Sequence, residues 1–267
     1  MIAAAGTPLE ALLRRDRLVV LGAIVVLSAL AWAYLLWLAQ AMPMDAMDSA
    51  TAQRMSMSPR PWRVADFGFM FVMWVVMMVG MMTPSAAPMI LIYARVGREA
   101  NARGTPLAAT GYFAAGYVVA WTGFSLLATV AQQLLARALM LSPMLASASN
   151  RFSGLVLIAA GLFQWTPLKH ACLAHCQSPL MFIQNHGGFR REASASFALG
   201  LRHGLYCVGC CWALMALLFV GGVMNLLWIA ALAVLVLLEK LLSRRSEMPR
   251  IAGVLLIIAG VLMLGIS

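Results

Sequence analysis

Long apolar runs alternate with short polar connections along almost the whole chain of 267 residues. A helix needs about 20 predominantly apolar residues to cross the hydrocarbon core of a bilayer. The runs predict helices at residues 18–39, 65–93, 107–135, 152–166, 196–221, 224–242 and 251–266. The fourth and the last of these are the shortest. The pattern therefore predicts an all-α, polytopic helical membrane protein with six to seven transmembrane helices.

The basic residues lie mainly in alternate connections between these helices. Thirteen Lys and Arg residues flank one predicted side of the membrane and five flank the other. Because positively charged loops remain in the cytoplasm, this asymmetry predicts a cytoplasmic N-terminus. Short basic loops also contact anionic lipid headgroups. We therefore expect the net charge of +10 to serve topology and the lipid bilayer, with no nucleic-acid partner.

The composition agrees with the prediction of a helical membrane protein. Hydrophobic residues make up 63% of the chain and charged residues only 10%, against about a quarter charged in soluble domains. No polar block is long enough for a separate soluble domain. We predict one integral membrane domain over 1–267, with an N-terminal helix at 18–39, a methionine-rich outer loop at 40–64 and a helical bundle at 65–267.

Methionine is unusually frequent, with 20 residues. In the second predicted helix, M-x-x-x-M spacing places several on two neighbouring stripes one turn apart. These residues are Met73, Met77, Met78, Met81 and Met82. Thioethers are soft ligands that suit Cu(I), so the stripes form a candidate metal pathway, although methionine also fills helix cores. Pro84 and Pro88 in the same helix predict a kink beside a site.

Two short segments contain all five cysteines and three of the four histidines. The segment KHACLAHC contributes His170, Cys172, His175 and Cys176. The segment HGLYCVGCCW contributes His203, Cys207, Cys210 and Cys211, which a helix would place within an arc of about 100°. Thiolate and imidazole are ligands of copper and zinc, and we interpret these eight residues as candidate metal ligands.

Spacing limits which residues can share one ion. His203 and Cys211 are about 12 Å apart along a helix, whereas metal–sulfur bonds are about 2.3 Å long. The simplest site combines Cys207 with Cys210 or Cys211, completed by Cys172 and Cys176 if the preceding loop folds back. His203 with Cys207 is a second position. The alternative is that the cysteines only fill a packed helix; a structural disulfide fits poorly with a reducing cytoplasmic side.

Ionisable residues inside a membrane are costly and indicate function. Glu239 lies near the end of the sixth predicted helix. We predict an internal partner for this carboxylate, with Arg202, beside the second cysteine segment, as the supporting cation.

The stretches MWVVMMVGMMTPSAAPM, GLFQWTPLKHACLAHCQSP and LGLRHGLYCVGCCWALMALLFVGGVMNLLWIAALAVLVLLEK resemble an uncharacterised family of bacterial integral membrane proteins described as predicted metal-binding. The resemblance runs from about residue 65 to the C-terminus. It implies a multi-pass protein of the bacterial inner membrane that binds a metal. It implies no particular reaction.

These observations favour a membrane protein that handles a soft transition metal, most simply Cu(I), as a transporter or copper-delivery component. Zn(II) remains open. The alternative is a membrane redox enzyme or catalytic metalloprotein subunit, in which the cysteine segments form a thiol–disulfide relay or a metal redox centre. A third hypothesis is that the protein is a metal-loaded subunit that assembles with a membrane or periplasmic partner protein.

Overall fold

The computed structural model describes residues 8–41, 63–104, 107–108, 110–138, 149–189, 191–242 and 247–265. These residues form helices and their connections, with no strand among them, so the all-α prediction is confirmed. The helices are α1 (Pro8–Ala41), α2 (Val64–Ala102), α3 (Thr110–Arg137), α4 (Asn150–Phe163), α5 (Pro167–Gln177), α6 (Pro179–Asn185), α7 (Ala193–Ala216), α8 (Leu218–Gly221), α9 (Leu226–Leu241) and α10 (Met248–Gly265). The methionine-rich part of the predicted outer loop, 42–62, lies outside the described residues.

Five helical stretches are long and apolar enough to cross a membrane, which is compatible with the predicted membrane protein. They are Leu18–Gln40, Val64–Ala102, Thr110–Arg137, Ala193–Gly221 and Met248–Gly265. The fourth and sixth predicted spans correspond to α4 and α9, with 14 and 16 residues. Both are shorter than the roughly 20 residues that a spanning helix needs. The count of seven and the cytoplasmic N-terminus therefore stay predictions.

Glycines allow α3 and α7 to pack closely along their length. A Cβ atom added to Gly116 would overlap the backbone oxygen of Phe197, and one added to Gly200 would overlap that of Phe113. At Gly204 an added Cβ would lie 3.0 Å from the backbone oxygen of Tyr117. Small residues bring membrane helices together in this way, because van der Waals packing replaces the hydrophobic effect there. This contact fixes α3 beside the cysteine segment of α7.

A second close pair joins α4 and α10. Gly154 and Gly161 of α4 face Gly260 and Gly253 of α10, and a Cβ on any of them would lie within 2.9 Å of a backbone oxygen of the other helix. The apolar N-terminal helix α1 packs on α2, where a Cβ on Gly80 would lie 3.0 Å from the Cβ of Ala31. The core lies between α2, α3, α5, α7 and α9.

Candidate metal centre

Three of the five cysteines lie on the buried face of α7. Cys207, Cys210 and Cys211 are each at most 2% exposed. The thiols of Cys210 and Cys211 donate hydrogen bonds to the backbone oxygen of Cys207, at 3.1 and 2.9 Å. Residues three and four apart on a helix share a face, so the structure places these thiols side by side inside the protein.

The fourth thiol comes from α5. The sequence predicts this segment as a loop that could fold back onto the helix of Cys207. Thr166 caps α5 by accepting a hydrogen bond from the backbone N–H of Lys169 at 3.3 Å, and Pro167 occupies its first turn, where proline is favoured. The helix packs along α7. The side chain of Cys176, at the C-terminal end of α5, lies close to those of Cys207 and Cys210. We call Cys176, Cys207, Cys210 and Cys211 the thiol cluster.

Cys172 lies one turn before Cys176 and is nearly buried against α7. An added Cβ on Gly209 would be 3.0 Å from the Cys172 Sγ atom, which is tighter than ordinary packing. Gly209 therefore makes room for α5 at the point where the two cysteine segments meet. The structure brings Cys172 next to the cluster through this packing contact.

Polar side chains of two other helices contact the sulfur of Cys207. Lys240 of α9 donates to Cys207 Sγ at 2.8 Å and to Ser85 Oγ of α2 at 2.8 Å. The Tyr117 hydroxyl of α3 lies 3.1 Å from the same sulfur and 2.9 Å from the backbone oxygen of Met82. Ser85 also donates to this oxygen, at 2.8 Å. Tyr117 donates to the Met82 oxygen, and in its contact with the Cys207 sulfur either atom can be the donor.

Glu239 has an internal partner, but the predicted partner is wrong. Its carboxylate is 2.7 Å from Lys169 Nζ, with the two side chains 2% and 0% exposed. Gln164 donates to the other carboxylate oxygen at 2.9 Å. Arg202 is instead exposed on α7. Lys169 replaces it because α5 folds back over α7 and carries the lysine into the core beside the end of α9.

The charges of these buried groups form a balanced set when Cys207 is ionised. Lys169 and Lys240 contribute two positive charges, and Glu239 contributes one negative charge. Burying an unpaired charge is costly, and a Cys207 thiolate supplies the missing negative charge. The 2.8 Å contact from the Lys240 ammonium to Sγ is a charge-assisted hydrogen bond that favours this form. The thiol cluster therefore contains one sulfur prepared to act as an anionic ligand.

The methionine stripes of α2 face the protein core. Met73, Met77, Met78 and Met82 have no exposed surface, and Met81 is 3% exposed. Pro84 and Pro88 lie inside α2, and between them Ser85 reaches Lys240. The stripes and the proline segment thus run through the buried interior to the position of Cys207. Their burial is compatible with packing and with a path for a soft ion.

The four histidines have different surroundings. His170 is exposed on α5. His203 is buried against the rings of Phe113, Tyr117 and Phe182, and its Nδ1 has no hydrogen-bond partner among the described residues. His175 is half-buried and stacks on Tyr206, with ring centroids 4.3 Å apart. His186, which the sequence reasoning left out, lies 6.0 Å from His175.

Several further residues of the site were also missed. Lys240, Ser85, Tyr117 and Lys169 contact the site, and only Lys169 lies in a cysteine and histidine segment, as the first residue of KHACLAHC. The sequence contains one indication that Lys240 belongs to the site. Lys240 follows Glu239 directly at the end of an apolar helix, so that segment carries two adjacent charges. Consecutive residues on a helix point about 100° apart, so they face different neighbours.

The donor set fits a soft ion better than a hard one. Thiolate and thioether sulfur select Cu(I), whereas hard cations take oxygen ligands. Among the described residues, no group of three or more His, Cys, Asp or Glu side chains is arranged so that it could hold a metal ion. The thiols of Cys210 and Cys211 instead bond to a backbone oxygen. For either of these thiols to bind an ion, it must turn away from that oxygen and lose its proton.

Fold and site together define a helical protein compatible with a membrane, with a buried cluster of soft ligands held beside a lysine. A family model described as PpoB2, copper chaperone, matches residues 71–263. Because this match covers well over half of the chain, the chain belongs to the PpoB2 copper chaperone family. The match includes the whole thiol cluster, Lys240 and four of the predicted helices in full. No curated protein and no solved structure matches the chain.

Proposed function

We propose that the protein binds Cu(I) in the thiol cluster within the bacterial inner membrane and delivers it to a partner protein. The observation that carries this proposal is the meeting of Cys176 from α5 with Cys207 and Cys210 of α7, in buried surroundings beside Lys240. The membership of a copper chaperone family supports copper as the cargo.

The charge of the site suits a monovalent ion. Cu(I) bound by two thiolates carries a net charge of −1, and the Lys240 ammonium balances it. Cys207 enters this complex already as a thiolate, while Cys210 or Cys176 gives up one proton. Zn(II) is the competing cargo, and it would need a third thiolate to reach the same net charge. The soft thioethers of α2 also favour Cu(I) over Zn(II).

Delivery requires that the ion leave the cluster as well as enter it. Cys176 is half-buried, whereas the three cysteines of α7 are closed off from solvent. A partner's thiol or imidazole can therefore reach an ion held by Cys176 first and exchange ligands stepwise. Stepwise exchange needs no ATP and no large movement of the transmembrane helices. This supports delivery to a partner over active transport.

Metal content of the detergent-purified protein tests the proposal. We expect one Cu(I) per wild-type chain, with Cu–S scattering in X-ray absorption. This copper should be lost in Cys207→Ser/Cys210→Ser and retained in His170→Ala, which removes an exposed side chain of α5. Stoichiometric Cu(I) in the double serine variant would contradict the site. Metal-free wild-type protein that forms a Cys176–Cys207 disulfide on mild oxidation would instead favour the thiol–disulfide relay.

A further inference from the structure

Two half-buried histidines form a second group of potential ligands beside the thiol cluster. His175 is the residue before Cys176 on α5, and His186 caps the C-terminus of α6. Their ring centroids are 6.0 Å apart, with an angle of 69° between the ring planes. Two imidazoles that bind one ion through Nε2, at about 2 Å each, have centroids about 5 to 6.5 Å apart. The observed separation of the two ring centroids lies within this range.

The hydrogen bonds of both rings leave Nε2 available. His175 Nδ1 lies 2.8 Å from the backbone oxygen of Ala171, and His186 Nδ1 lies 2.8 Å from that of Phe182. A carbonyl oxygen only accepts, so each Nδ1 must carry the hydrogen. The Nε2 of each neutral ring then has a free lone pair, and neither has a hydrogen-bond partner among the described residues. Metal-binding histidines are oriented by this same kind of N–H to carbonyl bond.

Aromatic side chains hold each ring in place. His175 stacks on Tyr206 with 10° between the planes. His186 stacks on Phe182, with centroids 4.4 Å apart. Ligands fixed in position before the ion arrives lose little rotamer freedom on binding. The pair is thus preorganised, and it is more open to solvent than the cysteines of α7.

We propose that His175 and His186 form an entry site that captures Cu(I) and passes it to Cys176 of the thiol cluster; this inference rests on the proposed function. Imidazole is a suitable ligand for copper and is neutral, so it holds Cu(I) less firmly than thiolates. The ion moves as Cu(I), without a change of oxidation state. The Cys176 thiol replaces an imidazole as ligand, and the vacated Nε2 accepts the proton that the thiol loses.

The rate of copper uptake separates an entry site from the final site. We would mix the full-length protein in detergent with the Cu(I)–bicinchoninate complex and follow loss of the chelator's absorbance by stopped flow. His186→Ala should slow uptake at least tenfold and leave the final stoichiometry unchanged. His170→Ala is the matched control and should take up copper at the wild-type rate. An unchanged rate in His186→Ala would overturn the entry site.

A second measurement keeps the test valid if His186→Ala does not fold. His186→Asn keeps a side-chain N–H for the backbone oxygen of Phe182 but removes the imidazole, and it should be equally slow. With all four thiols of the cluster changed to Ser, X-ray absorption should show Cu(I) bound by nitrogen, and adding His186→Ala should abolish that signal. Nitrogen-bound copper that persists after this addition would overturn the pair. A wild-type chain that takes up no Cu(I) would refute the proposed function itself.

Discussion

The Lys240 ammonium lies 2.8 Å from the Cys207 sulfur and joins the end of α9 to the centre of α7. This contact places a fixed positive charge against the Cys207 sulfur. The thiols of Cys210 and Cys211 instead donate hydrogen bonds to the backbone oxygen of Cys207. A charge-assisted contact such as that from Lys240 favours the thiolate form of Cys207 over the thiol. It also links the thiol cluster to the neighbouring Lys169–Glu239 ion pair, because Glu239 and Lys240 are adjacent residues.

Replacement of Lys240 by Met should change the pH dependence of Cu(I) binding. In the wild type one thiol loses a proton when two thiolates bind the ion, because Cys207 is already ionised. In Lys240→Met both must lose protons, so the logarithm of the Cu(I) affinity should rise with pH with a slope near two instead of near one. The affinity at pH 7 should be about tenfold lower or more, since charge-assisted hydrogen bonds contribute about 1.5–3 kcal/mol.

This slope is measured by chelator competition between pH 6 and 8. Arg250→Met is the control, because it removes a cation that is paired at the surface with Glu247. It should keep the wild-type slope and affinity. Equal slopes in the wild type and in Lys240→Met would show that Lys240 does not hold the thiolate.

Replacement of Glu239 by Gln should destabilise the protein strongly. It leaves the ammonium of Lys169 buried without its counter-charge, and breaking a buried pair in this way costs about 3–5 kcal/mol. Thermal unfolding followed by tryptophan fluorescence in detergent should show a clear drop in the apparent Tm. Glu247→Gln breaks only an exposed pair with Arg250, and surface pairs contribute about 0–1 kcal/mol. Similar small shifts for both variants would refute the role of the buried pair.

Replacement of Gly116 by Ala should separate α3 from α7. The new methyl group would overlap the backbone oxygen of Phe197, and overpacking of this kind costs about 1–3 kcal/mol. Because Tyr117 follows Gly116 directly, the variant should also bind Cu(I) more weakly. Gly123→Ala in the same helix meets nothing within 4 Å and should keep wild-type stability and copper affinity. Thermal unfolding and copper titration of the two variants test whether the close contact between α3 and α7 supports stability and copper affinity.

The methionine stripe offers a test of passage against packing. Leu and Met have similar volumes, so exchanging them in a core costs less than about 1.5 kcal/mol. Met77→Leu/Met81→Leu should therefore fold with nearly the wild-type Tm. If the thioethers guide Cu(I), this variant should load the thiol cluster more slowly in proteoliposomes while reaching the same final stoichiometry. Loading at the wild-type rate would leave the stripe a packing feature only.

Local periodicity in the sequence is enough to predict the apolar helices and the cysteine-bearing face of α7. Apolar runs define α1, α2, α3, α7 and α10, because a chain in lipid must satisfy its backbone hydrogen bonds within each helix. The C-x-x-C-C spacing places Cys207, Cys210 and Cys211 on one face of α7, because side chains three and four residues apart share a helix face. These statements need no knowledge of neighbouring helices.

The contacts between residues that are distant in sequence depend on how the helices pack. The packing of α5 on α7 brings Cys176 to the thiol cluster and Lys169 to Glu239, and it leaves His170 exposed. Arg202 was the wrong partner because closeness to a motif in sequence does not fix the direction of a side chain. Adjacent Glu239 and Lys240 point about 100° apart, so one contacts α5 and the other contacts α7. Partner choice depends on helix register and crossing, which no local pattern encodes.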